Sequence, residues 1–351
     1  MSVQSDILSS RPALNSVLWR HRVLLSIVLI HLAFGLSVSL VLGTPFESGT
    51  FRAMRRQLTQ LLPLFLIGAI FGRFLWMAVR VRPEKPIHWF LADMRGILFS
   101  KDRMANAVTT FLAVAVFTGT FAFIKEMIPH MVPFSWDPAI AEMDRWLHGG
   151  QDPWRLLLPV FGSPSATTLL NAAYHLWFLL MYSCVFWAFA DTRNMEKSVT
   201  FLIAYVLTWA ICGNLMATLF SSVGPDYYQA MGFGDTFVPL TERLYALNEV
   251  SPVWALEVQE LLLDGYLNDG PIKAISAMPS MHVASTVIIT LFCFSHKRWL
   301  GWVMAGFTVA IMIGSVHLGW HYAIDGYFSV ALALAIWALS RALVRRFPPD
   351  A

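Results

Sequence analysis

The chain contains little charge and few cysteines. Of its 351 residues only 13% are charged and 57% are apolar, whereas about a quarter of the residues in soluble globular proteins are charged. This low charge excludes an ordinary soluble domain, a disordered chain and a nucleic-acid-coating protein, so no nucleic-acid partner is expected. The three cysteines, Cys184, Cys212 and Cys293, lie in apolar runs without a CxxC pattern, which predicts neither a disulfide framework nor a thiolate metal site. Most of the chain is therefore expected to lie in lipid.

Long apolar runs supply the expected membrane spans. A hydrocarbon core about 30 Å thick needs about 20 apolar helical residues. Candidate spans lie at 23–43, 58–80, 105–127, 166–190, 198–220, 281–295, 299–316 and 320–343. The first run lacks the small-residue cleavage pattern of a signal peptide and is interpreted as a retained span. The predicted fold class is all-α, a polytopic transmembrane helix bundle of about eight spans.

Lysine and arginine are distributed unevenly between the two sides of these spans. With both termini inside, the inner segments hold more of them than the outer segments, as the positive-inside rule requires. The stretch 44–57 is an exception, because its Arg52, Arg55 and Arg56 fall on the predicted outer side of the membrane. We expect an interfacial segment there. The chain is predicted to be a multi-pass protein of the cytoplasmic (inner) membrane with cytoplasmic termini.

Two outer segments are long. The first, 128–165, contains amphipathic stretches at 138–147 and 153–161, which predict helices lying in the membrane interface. The second, 221–280, holds eight acidic residues against only Arg243 and Lys273. These charges are interpreted first as a solvated face.

The carboxylate of Asp325 lies inside the last proposed span. An ionisable group there costs free energy unless it faces a cavity or a partner, which makes Asp325 a functional candidate. His321 precedes it by four residues, so the two side chains are expected on one helix face. A carboxylate in that position can hold an imidazole in one tautomer and stabilise its cation. His317, one turn earlier, could complete a three-ligand metal site, but Gly319 weakens a continuous ligand helix and no metal or cofactor is predicted.

A second histidine lies at the start of the sixth span. Pro279 and Ser280 predict an N-cap there, and the N–H groups of the following first turn form an anion site beside His282. In the predicted topology His282 and His321 both emerge at the outer face. These groups suit phosphoryl transfer, in which His321 attacks phosphorus, Asp325 orients it and His282 protonates the departing alkoxide.

Two short motifs carry a family resemblance. Pro279-Ser280-Met281-His282 and the His-Tyr-Ala-Ile-Asp run from His321 to Asp325 resemble the motifs PSGH and SR-x5-H-x3-D of the type 2 phosphatidic acid phosphatase superfamily. The most similar branch contains the inositol phosphorylceramide synthases, which are inositolphosphotransferases. The resemblance implies that His321 is the nucleophile, Asp325 its partner and His282 the acid.

The resemblance also predicts the domain organisation. It covers residues 105–343 and implies a six-helix, phosphatase-like catalytic core there. Residues 1–104 are then an N-terminal extension with two transmembrane helices and an interfacial segment, and 344–351 form a cytoplasmic tail.

The departures from the family pattern concern cations. Ser315 stands where the third motif has arginine, and the first motif, K-x6-RP, is absent. A site short of cations suits a monoanionic phosphodiester better than a dianionic monoester. We therefore expect a phospho-headgroup transferase whose donor, and possibly acceptor, are membrane lipids. Further substrate contacts are predicted at Ser280, Met281, His317, Tyr227, Tyr228, Arg243 and Lys273.

Two other functions stay open at this stage. A lipid or polyprenyl phosphate phosphatase would use water as the acceptor. A transporter or scramblase would also have many spans, although the sequence lacks the paired broken helices and internal repeats typical of such folds. The oligomeric state is left open.

Overall fold

The chain forms a helical bundle. The computed structural model describes residues 14–98, 100–270 and 272–349. It is 79% helical, and the described residues form no strand. Within these described ranges, seven helices are long and apolar enough to cross a membrane, and the helix Met281–His296 is shorter. The predicted all-α polytopic bundle is confirmed, and the helices are consistent with a multi-pass membrane protein.

The helices are numbered in chain order. The first part of the chain forms α1 (Leu14–Arg20), α2 (Arg22–Leu42), α3 (Gly49–Trp76), α4 (Pro86–Leu98), α5 (Lys101–Met131), α6 (Asp137–Leu147), α7 (Pro153–Phe161) and α8 (Pro164–Ala190). The second part forms α9 (Met195–Thr208), α10 (Val238–Asn248), α11 (Ala255–Leu267), α12 (Met281–His296), α13 (Arg298–His317) and α14 (Ala323–Arg346). Two spans continue past their α-helix, α3 through a π-helical turn at Met77–Val81 and α9 through a π-helical segment at Trp209–Met216.

Serine residues define where several spans begin. Ser48, Ser100, Ser163 and Ser280 precede α3, α5, α8 and α12, and each hydroxyl accepts a hydrogen bond from the backbone N–H three residues later. Such a cap satisfies one of the N–H groups that an isolated helix start leaves unpaired. The apolar runs set the lengths of the spans, and these caps set their first residues.

The second span is longer than predicted. It begins at Gly49 rather than at 58, so the stretch with Arg52 forms its first turns instead of a separate interfacial segment. Ser48 caps this start, and the Thr50 N–H donates to the Glu126 carboxylate at 2.7 Å. Two acceptors for the first free N–H groups explain why the helix extends this far. The helices predicted at 138–147 and 153–161 are present as α6 and α7.

The packing distinguishes a central part of the bundle from a peripheral part. Helices α12, α13 and α14 pack on one another and on α8 and α9. The span that starts with α9 is the most enclosed, with 72% of its apolar window buried, whereas the span that starts with α3 has 6% buried. At one end of the central bundle, α6 packs against the start of α14, and α10 packs against α8. This end holds the first residues of α12 and α14.

Candidate active site

His321 and Asp325 form a hydrogen-bonded pair. The His321 Nδ1 lies 3.3 Å from the Asp325 Oδ2, which also accepts the Tyr322 N–H at 3.1 Å. Both side chains are buried, Asp325 completely. With Nδ1–H donating to the carboxylate, the imidazole keeps Nε2 free as a nucleophile or base.

The pair does not share a helix face, and that part of the prediction is wrong. Helix α13 ends at His317 and α14 begins only at Ala323, so His321 lies in the connection between them. Gly319 turns the chain in the left-handed region at φ 78°, and Tyr322 is extended. The His321 N–H donates to the Ser315 carbonyl at 3.1 Å, which fixes the loop so that His321 reaches back to the first turn of α14.

His282 faces this pair from the start of α12. Its N-cap, Ser280, is as predicted, and the Ser280 hydroxyl accepts the Val283 N–H at 3.4 Å. The ring centroids of His282 and His321 are 6.5 Å apart. One phosphoryl group between the two imidazoles can therefore contact both.

Aromatic residues of α8 hold the His282 ring. Its centroid lies 4.1 Å from that of Tyr174 and 4.0 Å from that of Trp177, and the Trp177 indole N–H donates to Ser285 at 2.8 Å. The buried Tyr174 hydroxyl and Asp325 Oδ1 have no hydrogen-bond partner among the described residues. The sequence reasoning missed Tyr174 and Trp177, which carried no signal beyond being aromatic residues in an apolar helix.

A second carboxylate, Asp144 of α6, holds the start of α14. Its two oxygens accept the Ala323 N–H at 2.9 Å and the Ile324 N–H at 3.0 Å. Burial raises the pKa of the Asp144 carboxyl. Next to it, His148, which directly follows α6, lies 2.9 Å from the Tyr327 hydroxyl. Asp144 therefore accepts hydrogen bonds from the first N–H groups of α14, the helix that carries Asp325.

Asp137, at the start of α6, holds the other side of the same loop. Its carboxylate accepts the Val223 and Gly224 N–H groups and, at 2.8 Å, the Tyr322 hydroxyl. Burial raises the pKa of this carboxyl as well. The sequence reasoning missed Asp137 and Asp144. A signal existed, because both share the apolar face of α6, where a carboxylate is unexpected without a partner.

The predicted cationic contacts are engaged outside the histidine pair. His317, at the end of α13, places its Nε2 2.9 Å from the Thr167 hydroxyl. The Arg243 guanidinium donates to the Gly162 carbonyl at 2.7 Å. Lys273 pairs with Asp269. Among the described residues, no lysine or arginine forms an ion pair or hydrogen bond with His282, His321 or Asp325.

The remaining predicted contacts lie in packing positions. The Tyr227 hydroxyl donates to the Gln259 carbonyl at 3.2 Å, and the Tyr228 ring packs against Phe237 with centroids 5.2 Å apart. Met281 lies against Gly213 of the π-helical segment. The structure therefore brings together His282, His321 and Asp325 with Ser280. The side chains of Tyr227, Tyr228 and Met281 form no hydrogen bond with this group.

The metal alternative is not supported by this geometry. The break between α13 and α14 separates His317 from the other two residues of the helical ligand set considered above. Within the ranges that the structure describes, no three histidine, cysteine, aspartate or glutamate side chains are grouped as metal ligands would be.

Comparison with known proteins identifies one family. A family model described as the PAP2 superfamily matches residues 138–339, more than half of the chain. The matched region begins at the second residue of α6 and includes all three residues of the His282, His321 and Asp325 cluster. No significant match was found among curated proteins or among solved structures.

Proposed function

Because the chain belongs to the PAP2 superfamily, we propose that it is a membrane-embedded lipid phosphotransferase that works through a phosphohistidine at His321. Members of the superfamily are generally phosphatases or phosphotransferases. The observation that carries the proposal is the arrangement of His321 on Asp325 at 3.3 Å with His282 across from it. It supplies a nucleophile, a group that orients it and a proton donor.

In the first half of the reaction, His321 becomes phosphorylated. Its Nε2 attacks phosphorus, and the bond from phosphorus to the leaving alkoxide breaks. His282 gives its proton to that alkoxide, while Asp325 stabilises the positive charge that develops on the His321 ring. The N–H groups in the first turn of α12 favour the phosphoryl oxygens.

In the second half, an acceptor takes the phosphoryl group. His282, now neutral, removes the proton of an acceptor hydroxyl, whose oxygen attacks phosphorus. The bond from phosphorus to His321 Nε2 breaks, which restores the free imidazole. An alcohol acceptor completes a transfer, and water completes a hydrolysis.

The shortage of cations argues for a phosphodiester donor. Ser315 occupies the position of the motif arginine, and its hydroxyl donates to the Ile311 carbonyl. A dianionic monoester is recognised most strongly by paired arginine or lysine groups. A phosphodiester has one negative charge, so it needs less compensation. We therefore propose transfer of a phospho-headgroup from a phospholipid to an alcohol, as in the inositol phosphorylceramide synthase branch.

We further propose the setting of this reaction. The catalytic core is residues 105–343, and the first two spans are an addition to it. The active site faces the outer side of the cytoplasmic membrane, where both donor and acceptor lipids can enter it laterally. The excess of lysine and arginine in the segments assigned to the cytoplasm supports this orientation.

The test is a lipid assay on the purified protein in bilayers. Mixed phospholipids are supplied with and without ceramide, diacylglycerol or glycan acceptors, in the presence of EDTA, and products are identified by mass spectrometry. We expect a new phospho-headgroup lipid that requires the acceptor. His321→Ala should lose at least about 10³-fold in rate, the scale of a lost nucleophile.

A matched control separates the chemistry from folding. His130→Ala removes an exposed histidine in the last turn of α5 and should keep full activity. Release of a free phospho-headgroup without acceptor would assign a hydrolase instead. Turnover that survives in His321→Ala would overturn the proposed mechanism.

A further inference from the structure

A polar cavity lies outside the histidine cluster. It has a volume of about 380 Å³ between the 225–230 connection, α10 and α11. Its polar lining includes Asp226, Tyr227, Gln229, Tyr245, Gln259 and Glu260. The Asp226 N–H donates to the Gly319 carbonyl at 3.0 Å, so one wall backs onto the connection that carries His321.

The cavity has negative charge without a protein cation. Burial, with the negative charge of Glu260, raises the pKa of the Asp226 carboxyl to about 7. In the described part of the chain, neither carboxylate forms an ion pair. The two basic residues of the 221–280 segment are held elsewhere, Arg243 by the Gly162 carbonyl and Lys273 by Asp269. The Glu260 carboxylate accepts the Tyr245 hydroxyl at 2.6 Å, which is a neutral partner, so a cationic ligand would balance the charge.

A buried amide supplies an independent observation. Gln259 is only 2% exposed, and its Nε2 donates to the Leu318 carbonyl at 2.9 Å. Its Oε1 has no hydrogen-bond partner within the described residues. A buried acceptor without a donor is energetically unfavourable. A ligand that brings N–H groups would satisfy this oxygen.

The shape and the walls indicate the kind of cation. Tyr227, Phe237 and Tyr245 add aromatic surface, and aromatic faces attract organic cations. A volume of about 380 Å³ is in the range of small-molecule pockets and far exceeds what a bare metal ion fills. The Gln259 Oε1 favours a ligand that can donate an N–H.

We propose that this cavity binds a primary organic ammonium group, of the size of an amino alcohol or amino sugar. Its N–H groups donate to Asp226, Glu260 and the Gln259 Oε1, and its carbon atoms contact the aromatic wall. The ligand lies behind the Leu318–Gly319 backbone, on the opposite side from the histidines. Binding is measured without turnover, so its outcome is independent of the proposed reaction.

The test is calorimetric titration of the full chain in nanodiscs made only of phosphatidylglycerol, which has no amine. The probes are ethanolamine, choline, glycerol and Ca²⁺. We expect ethanolamine to bind, and choline, which has no N–H, to bind at least about tenfold more weakly. Glycerol, which is neutral, should give no binding heat. Tighter binding of Ca²⁺, or equal binding of glycerol, would overturn the proposal, as would the absence of ethanolamine binding.

Matched variants check the location. Glu260→Gln should weaken ethanolamine binding at least about tenfold through loss of a charge-assisted hydrogen bond. Glu257→Gln removes the same charge from an exposed position of α11 outside the cavity lining and should change affinity less than about twofold. Equal losses in both variants would refute a site at this cavity.

A last arm distinguishes the source of the amine. In nanodiscs that contain phosphatidylethanolamine, a lipid headgroup in the cavity should compete with added ethanolamine and raise its apparent Kd. An unchanged Kd assigns the site to a soluble amine. Both results require that ethanolamine binds in the phosphatidylglycerol nanodiscs and that Glu260→Gln weakens this binding.

Discussion

Replacing Asp144 with asparagine tests whether α6 positions the catalytic pair. The side chain is buried, and both oxygens accept backbone N–H groups in the first turn of α14, at 2.9 and 3.0 Å. Asparagine keeps one acceptor oxygen and turns an NH₂ group toward the second N–H. One charge-assisted hydrogen bond is therefore lost, and the other loses its charge.

The expected magnitude follows from these two contacts. Hydrogen bonds to a charged group contribute about 1.5–3 kcal/mol each, so the start of α14 should lose about 2–3 kcal/mol. Asp325 lies in that turn and orients His321. If the whole loss appears in the transition state, kcat falls about 30- to 150-fold, because each 1.36 kcal/mol corresponds to a factor of ten.

The assay is steady-state lipid turnover together with thermal unfolding of the purified protein. We expect kcat to fall while KM changes less than about threefold, because Asp144 positions catalytic groups and contacts no substrate. Glu142→Gln, on the exposed face of the same helix, should be close to wild type. An Asp144→Asn enzyme with kcat within about twofold of wild type would refute this reasoning, even if its unfolding temperature fell.

Three further predictions concern single residues. His282→Ala should slow transfer from an alkyl phosphodiester by about 10²–10⁴-fold and slow a p-nitrophenyl diester much less, since that leaving group needs no proton; equal losses would argue against an acid role. The pKa of Asp226 is about 7 in the folded protein against 3.8 ordinarily, so the folded state binds the extra proton, and stability should fall as pH rises from about 4 to about 7. Asp226→Asn should flatten that dependence in thermal unfolding, and an unchanged pH profile would contradict it. Gly224→Ala places a Cβ 2.6 Å from the Trp320 carbonyl oxygen, whereas Gly232→Ala, also at positive φ, meets open space; only the first should reduce turnover as well as stability.

The membrane spans were predictable because a bilayer imposes a simple requirement. About 20 apolar residues in helical form cross the hydrocarbon, so composition alone locates each span. The first residues of the spans depend on capping contacts. The start of α3 at Gly49 shows this, because it depends on Glu126, which is 76 residues away from its partner Thr50.

The three residues at the centre of the site were also predictable. Ionisable groups in an apolar chain are rare enough that Asp325 and the two histidines stand out. Their local conformation was harder to predict from the sequence, because the left-handed turn at Gly319 interrupts the helix that the four-residue spacing suggested. The pairing of His321 with Asp325 therefore follows from their proximity in sequence, but through a loop.

The sequence by itself determined that the chain is a membrane helix bundle and which side chains carry the proposed chemistry, because hydropathy and rare polar groups are local properties. The tertiary structure decided how those side chains are held. Asp137 reaches Tyr322 across 185 residues, and Asp144 reaches Ala323 across 179. Contacts at such separations follow from helix packing. The structural role of each carboxylate can be recognised only when its distant N–H or O–H partner is known.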